Sequence, residues 1–323
     1  IIVTGGAGFI GSALVWKLNS MGAEDIFIVD HLGKSEKWKN LRSLKFSDYA
    51  EKDKFREMIT CDKMTGKKIE TVFHLGACSS TTETDASYLM DNNYEYSKEL
   101  AVFCSKRRIR FIYASSAATY GDGSNGWSDD EKSLAGLQPL NMYGYSKHAF
   151  DLWMRRNGLL KTCAGLKFTN VFGPNEWHKG DMRSLVCKAF DQILATGVLK
   201  LFKSHKKEFR DGEQKRDFLY VKDAVEMCVH AKEKRINGIY NIGSGRAETW
   251  NSLADAIFAA LGKKNNIKYI DMPEEIRQKY QYYSCAEMKK LASAGYRRPA
   301  TPLKDAVKEY VTKHLIGEKH LGE

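Results

Sequence analysis

At 323 residues, with 43% hydrophobic and 28% charged side chains, the chain is long enough for one large α/β unit with a smaller appended lobe; no apolar run approaches the ~20 residues of a membrane span. The 51 Lys and Arg against 40 Asp and Glu give a net charge of +11, but the basic clusters Lys34–Lys37, Lys106–Arg108 and Lys203–Lys207 are separated and interrupted, which fits solvated faces and small anionic ligands better than nucleic acid. Seven cysteines without Cys-x-x-Cys spacing argue against a disulfide framework, and no zinc site or other metal pattern is visible.

The chain opens on Ile1–Gly6, a strand entering a glycine turn rather than a charged, cleavable leader, and the expectation is a cytoplasmic protein. Gly5, Gly8 and Gly11 follow this strand and open the helix-like run Phe9–Val15, so that backbone amides at the helix start can meet a pyrophosphate. Asp30 closes the next strand-like run, Ile26–Val29. Its carboxylate can accept from an adenosine ribose hydroxyl, which points to NAD, whereas Lys34, Lys37 and Lys39 can pair a 2′-phosphate, which points to NADP. These residues leave both open.

Further strand-like runs at Thr71–His74, Arg110–Ala114 and Gly165–Phe168 alternate with longer mixed segments. That rhythm predicts an α/β fold with a Rossmann-type, doubly wound parallel sheet. Ligands of such sheets sit outside the carboxyl ends of the strands, here Thr4–Gly11, Asp30–His31, Leu75–Ser80, Ser115–Ser116 and Thr169–Asn170. Beyond Gly173 the rhythm weakens, with Pro174, Gly180, Gly197 and Gly212 punctuating basic loops before the strand-like Ile239–Ile242. The expected layout is a dinucleotide-binding domain over 1–170 and mainly a smaller C-terminal substrate lobe over 171–323, with about 215–250 returning to the first domain.

Ser115 and Ser116 place hydroxyls at a strand end, where a substrate oxygen can be held. Tyr143 and Lys147 are spaced Tyr-x-x-x-Lys, one turn apart on one helix face. A positive charge beside a phenol favours phenolate, so Tyr143 is expected to titrate below the usual tyrosine value of about 10 and to act as an acid/base.

With its glycine loop, strand-end serine and Tyr-x-x-x-Lys in that order, the chain resembles the extended short-chain dehydrogenase/reductase family nearly end to end. Arg216–Asp223 and Tyr240–Gly245 add to the likeness. Three further runs, Gly76–Glu83, Met90–Tyr94 and Asn170–Gly180, are similar to the ADP-L-glycero-D-manno-heptose 6-epimerases within it. The resemblance implies a cytoplasmic isomerase that keeps NADP bound and interconverts the D-glycero and L-glycero forms of ADP-heptose by transient oxidation at C6. It further implies a role in the inner core of lipopolysaccharide and a homo-oligomer, usually a pentamer.

Residue by residue, the resemblance puts Phe9, Ile10, Asp30, His31, Lys37, Lys52, Leu75, Gly76, Ala77, Cys78, Ser79, Asn92, Lys147, Val171 and Lys179 on the cofactor. The nucleotide sugar is assigned Asn170, Asp181, Lys188, Phe202, Lys203, Ser204, Arg216 and Tyr280, with Arg216 forking onto the diphosphate. Ser116, Tyr143, Lys147 and Lys179 form the implied catalytic group, with Lys179 of His178-Lys179-Gly180 as a second acid/base opposite Tyr143.

Two positions depart from the family pattern. Asp181 replaces a small or basic residue, and a carboxylate there is unfavourable near a diphosphate unless it points away or pairs with Arg183. Lys188 stands where a histidine is common. A UDP-hexose 4-epimerase would share the glycine loop, Ser116, Tyr143 and Lys147 but gives no reason for Lys179. A 4,6-dehydratase would carry an acidic pair where this chain has Ala117-Ala118-Thr119. A non-catalytic NADP-sensing or nucleic-acid-binding protein would keep the fold, a reading that Tyr143 and Lys147 speak against.

Overall fold

Twelve strands and eight helices that matter for the site are seen in a computed structural model, which describes residues 1–277 and 280–323. The strands are β1 (Ile2–Thr4), β2 (Phe27–Asp30), β3 (Asp48–Glu51), β4 (Thr71–His74), β5 (Arg110–Ser116) and β6 (Ala164–Phe168), then β7 (Asn170–Phe172), β8 (Leu199–Phe202), β9 (Lys215–Tyr220), β10 (Gly238–Ile242), β11 (Ala247–Thr249) and β12 (Ile267–Ile270). The helices are α1 (Phe9–Ser20), α2 (Lys52–Thr60), α3 (Ala86–Leu89), α4 (Tyr96–Lys106), α5 (Met142–Arg156), α6 (Leu185–Thr196), α7 (Val221–Glu233) and α8 (Trp250–Ala260).

Seven strands form one parallel sheet in the order β10-β6-β5-β4-β1-β2-β3. Burial on both faces explains the unbroken apolar runs in its centre, where Val3, Val72, Phe73, Phe111 and Ile112 are fully enclosed. One face is covered by α1 and α7, whose Ala13, Leu14, Leu18, Val225 and Cys228 join the larger core; Phe55, Leu100, Phe150 and Met154 of α2, α4 and α5 fill the other. β10 crosses back from the second half of the chain to pair with β6, in register Ile239 with Gly165. Two smaller sheets, β11-β9-β7 and β12-β8, carry the rest.

Strand order reverses between β1 and β4, and at such a switch point the loops leaving the two strands part to open a crevice. Glycine is required here for contact. Gly5 has φ +68, and a Cβ on it would lie 2.6 Å from the Gly76 nitrogen of the facing loop. A Cβ on Gly11 would strike the Gly5 carbonyl oxygen, so α1 can begin only where the chain has no side chain.

Two expectations are corrected in detail. β5 runs on through Ser115 and Ser116, longer than its apolar part. The sheet also has an edge strand, β3, that the sequence does not announce. Only Ala50 of Asp48–Glu51 is buried, and its charged ends suit an exposed edge. Among the described residues no helix is long and apolar enough to cross a membrane.

Candidate active site

A cleft of about 1680 Å³ runs from the β1–β4 switch point to the smaller sheets. This exceeds the usual ligand pocket and is room for two ligands end to end. Its first wall is the glycine loop. Gly8 caps α1 without any side-chain hydrogen bond, leaving the first-turn amides free for an anion. Asp30, at the end of β2, is almost fully engaged: one oxygen accepts from the Ala7 and Gly8 amides at 2.8 and 3.1 Å, the other from the His31 amide at 2.7 Å and the Lys37 ammonium at 2.8 Å.

The facing wall is the Leu75–Ser79 loop, fastened from behind by Asn93. The Asn93 side chain accepts from the Cys78 amide and donates to its carbonyl, both at 2.9 Å, and reaches the Ser146 hydroxyl on α5 at 3.0 Å. Asn93 lies in a π-helical turn, Met90–Glu95, between α3 and α4; such turns often mark functional sites.

α5 begins at Asn141, whose side chain accepts from the Gly144 amide and caps it. Its first turns carry Tyr143 and Lys147 into the cleft beside Ser116. The Lys147 ammonium donates to the Ala114 carbonyl at 2.9 Å, and burial, opposed by Asp151, brings its pKa down to about 8. The expected lowering of Tyr143 is not found. Burial raises its pKa, and the Ser116 hydroxyl pulls only partly in the other direction. Burial is the main cause, and nothing from Lys147 offsets it: the lysine proton faces the Ala114 carbonyl, and no hydrogen bond joins the two side chains. Ser115 points away, donating to Asp151 at 2.7 Å.

Lys179 lines the same cleft from another element, a short 3₁₀ segment, Trp177–Met182, with its ammonium 5.3 Å from the centre of the Phe9 ring. Burial lowers its pKa, and nearby Glu176 opposes this. At the far end, Arg216 is 7% exposed, its guanidinium 5.6 Å from the Trp250 ring and 5.1 Å from that of Tyr280. Its hydrogen bond goes to the Lys215 carbonyl, and no described carboxylate pairs with it. The arrangement is a buried cation held by aromatic faces and still able to fork onto an anion.

The sequence comparisons agree with this geometry. Residues 1–243 match the model of the NAD dependent epimerase/dehydratase family. The chain belongs to that family. The ADP-L-glycero-D-manno-heptose-6-epimerase of Nitratidesulfovibrio vulgaris strain Hildenborough is 54% identical over 322 residues, 99% of each chain. That of Fusobacterium nucleatum is 48% identical over 328 residues, 98% of each. Among solved structures, the Helicobacter pylori ADP-L-glycero-D-manno-heptose-6-epimerase superposes with a TM-score of 0.80 at 25% identity, covering 97% of this chain and 94% of that one. UDP-glucose 4-epimerase of Thermotoga maritima, solved with UDP-glucose, gives 0.81 at 26% identity, covering 98% and 99%. The expectations of an isomerase, a nicotinamide cofactor and a nucleotide-sugar substrate stand with these likenesses.

Within this epimerase fold the cleft gathers Gly5, Gly8, Phe9, Ile10, Gly11, Asp30, Lys37, Leu75, Gly76, Ala77, Cys78, Ser79, Ser116, Tyr143, Lys147, Asn170, Val171, Lys179, Lys188, Phe202, Arg216 and Tyr280. The other expected residues lie off its wall. Lys52 donates to Asn92 at 2.8 Å behind the Leu75–Ser79 loop, and His31 meets Glu51 at 3.1 Å on the surface. Lys203 pairs with Asp271 at 3.3 Å, and Ser204 is turned into its own loop, its amide on Asp211 and its hydroxyl on the Lys206 carbonyl. Of the two alternatives for Asp181, pointing away or pairing with Arg183, the structure has the first: Asp181 is exposed and off the cleft wall, Arg183 binds Asp191 at 2.8 Å, and the Asp181 carbonyl takes a hydrogen bond from Lys188. Its carboxylate therefore does not oppose an anion in the cleft.

Trp250 and Asn93 escaped the sequence reading. Trp250 had a usable signal, a large aromatic one residue after a helix-capping threonine, Thr249.

Proposed function

We propose that the protein interconverts ADP-D-glycero-D-manno-heptose and ADP-L-glycero-D-manno-heptose by transient oxidation at C6, serving the lipopolysaccharide inner core in the cytoplasm as a homo-oligomer, pentameric by resemblance. The observation that carries the reading is that Tyr143 and Lys179 line one cleft from two different elements, with Arg216, which no described carboxylate pairs, at its far end. When the terminal carbon of a heptose turns over, its oxygen leaves the group that first held its proton, and this site offers a second acid/base to meet it.

The α1 amides, Lys37 and the Leu75–Ser79 loop would hold a resident NADP, which would supply the hydride acceptor and donor when bound. Lys37 supports the phosphorylated form: it neutralises Asp30, whose oxygens are already filled by four donors and have little left for a ribose hydroxyl. The chain's own residues handle the proton. One of Tyr143 and Lys179 takes the C6 hydroxyl proton as the alcohol becomes a ketone; the other gives a proton of its own to the ketone oxygen after the terminal carbon has turned its opposite face. Burial keeps the Tyr143 phenol protonated and eases loss of the Lys179 proton, so the pair starts as a donor and a potential acceptor. Ser116 orients the oxygen, and Arg216 with Tyr280 grips the diphosphate.

The close superposition on a UDP-glucose 4-epimerase favours a second reading, 4-epimerisation of a UDP-hexose. That reading gives Lys179 no task. Proton NMR of the purified protein with ADP-D-glycero-D-manno-heptose, and separately with UDP-glucose, without added cofactor, decides between them. The L-glycero epimer is expected; UDP-galactose would replace our reading with the second.

A further inference from the structure

The segment that presents Lys179 has little of its own to hold it in place. None of the side chains from Trp177 to Met182 is fully buried, and Gly180, next to Lys179, has φ +53. Trp177 packs partly buried against the core at the start of the turn, and Lys179 and Gly180 beyond it depend on polar ties.

On the far side of the turn, Arg183 and Lys188 donate to the Gly180 and Asp181 carbonyls at 3.0 and 3.2 Å; on the near side, before Lys179, the ties converge on Asn40. It sits in a short 3₁₀ helix, Glu36–Leu41, that also supplies Lys37, and is only 2% exposed. Its side-chain nitrogen donates to the Ala7 carbonyl of the glycine loop at 2.9 Å and to the Asn175 carbonyl at 3.0 Å, and lies 3.3 Å from the His178 ring nitrogen. Its oxygen meets the His320 ring nitrogen at 2.8 Å. One amide thus touches the glycine loop, the residue before Lys179 and the C-terminal segment.

The neighbours reinforce it. Asn175 is fully buried in the left-handed region at φ +78, a conformation that asparagine tolerates better than most residues. Its side chain donates to Ser12 of α1 at 2.9 Å and accepts from the Leu321 amide at 2.9 Å. The His320 ring packs 4.7 Å from Trp177, and Arg42 pairs with Glu323 at 2.7 Å.

We infer that Asn40 is a positioning residue that locks the Lys179 turn to the glycine loop, with His320 as its second anchor. The inference rests on the reading of Lys179 as an acid/base. A displacement of about 1 Å at such a group costs on the order of a hundredfold in rate.

Asn40→Ala and His320→Ala test it, with His320→Gln, which retains a donor, as the rescue. Hydrogen exchange is read by mass spectrometry across the whole chain, alongside kcat and KM on ADP-heptose. In Asn40→Ala, exchange in Trp177–Met182 is expected to quicken about tenfold or more while the β1, β4 and β5 amides keep their protection. kcat is expected to fall by roughly ten- to a hundredfold with KM within about twofold. His320→Ala moves both in the same direction, and His320→Gln recovers most of the loss. Unchanged exchange in the turn, or a uniform rise across the molecule, would overturn the inference. If Asn40→Ala does not fold, the two His320 variants decide it. Should the wild type fail to turn over ADP-heptose, the exchange arm still reads the clamp, so the two failures remain distinct.

Discussion

The Asp151 carboxylate accepts from the Lys167 ammonium at 2.7 Å in a place where neither side chain has any solvent exposure, one helical turn beyond Lys147 on α5. Tyr113 and Ser115 also donate to Asp151, at 3.0 and 2.7 Å, and Lys167 donates to Thr119 at 2.5 Å. The floor beneath the Tyr143–Lys147 pair is therefore a satisfied polar network joining β5, β6 and α5. Removing one partner would strand a buried charge, which costs about 3–5 kcal/mol. Lys167→Met should destabilise by that order in urea unfolding, and Asp151→Asn combined with it should recover part of the loss.

Tyr143→Phe deletes the phenolic hydroxyl, and with it the acid/base and its hydrogen bond to Ser116. Turnover should fall by about 10²–10⁴ while the fold and the bound dinucleotide persist. Near-ultraviolet circular dichroism and the cofactor content of the purified variant check the second half; loss of both would mean that the tyrosine is structural.

Lys147 titrates near 8 in the folded chain, below its ordinary value of 10.5. Between these two values the unfolded chain binds the extra proton, so this group's contribution makes stability rise with pH, by at most about 1.4 kcal/mol per pH unit for one proton. Buried Lys179 shifts in the same direction. Tyr143, raised by burial, reverses the trend once the unfolded chain's tyrosine ionises near 10. Urea titrations at pH 8 to 10 should show wild type gaining stability relative to Lys147→Met. Parallel curves for the two proteins would refute the assignment.

Arg216 should act on binding more than on chemistry. A hydrogen bond to a charged group is worth roughly 1.5–3 kcal/mol, so Arg216→Met should raise KM for the nucleotide sugar about ten- to a hundredfold, with a smaller change in kcat. Arg216→Lys should rescue poorly, because a compact ammonium neither stacks between Trp250 and Tyr280 nor forks. Isothermal titration with ADP measures the same loss without turnover.

The legible parts of this protein are those whose physics is local. β1, β2, β4 and β6 are buried on both faces and show as short apolar runs, and the glycines at the β1–α1 turn announce a close backbone approach. β9 is hidden because its first half buries charged Arg216 and Asp217 before the apolar Phe218, Leu219 and Tyr220. Asp217 is fully enclosed yet accepts from the Ser244 amide and hydroxyl and from the Gly245 and Ala286 amides, partners far along the chain. The role of Asn93, inside the Met90–Tyr94 run, is not legible for the same reason, since it depends on contacts across the fold. Lys179 was reached only through resemblance; taken by itself, a lysine in a polar loop reads as solvated. The Tyr143 shift went the other way from expectation because spacing on a helix does not tell where an ammonium points.

The most direct measurement follows a deuterium label. ADP-D-glycero-D-manno-heptose deuterated at C6 is incubated in ordinary water, and the product is examined by NMR and mass spectrometry. Transient oxidation with return of the same hydride predicts an L-glycero product that keeps deuterium at C6. A product carrying solvent hydrogen at C6, or no product at all, would contradict the account.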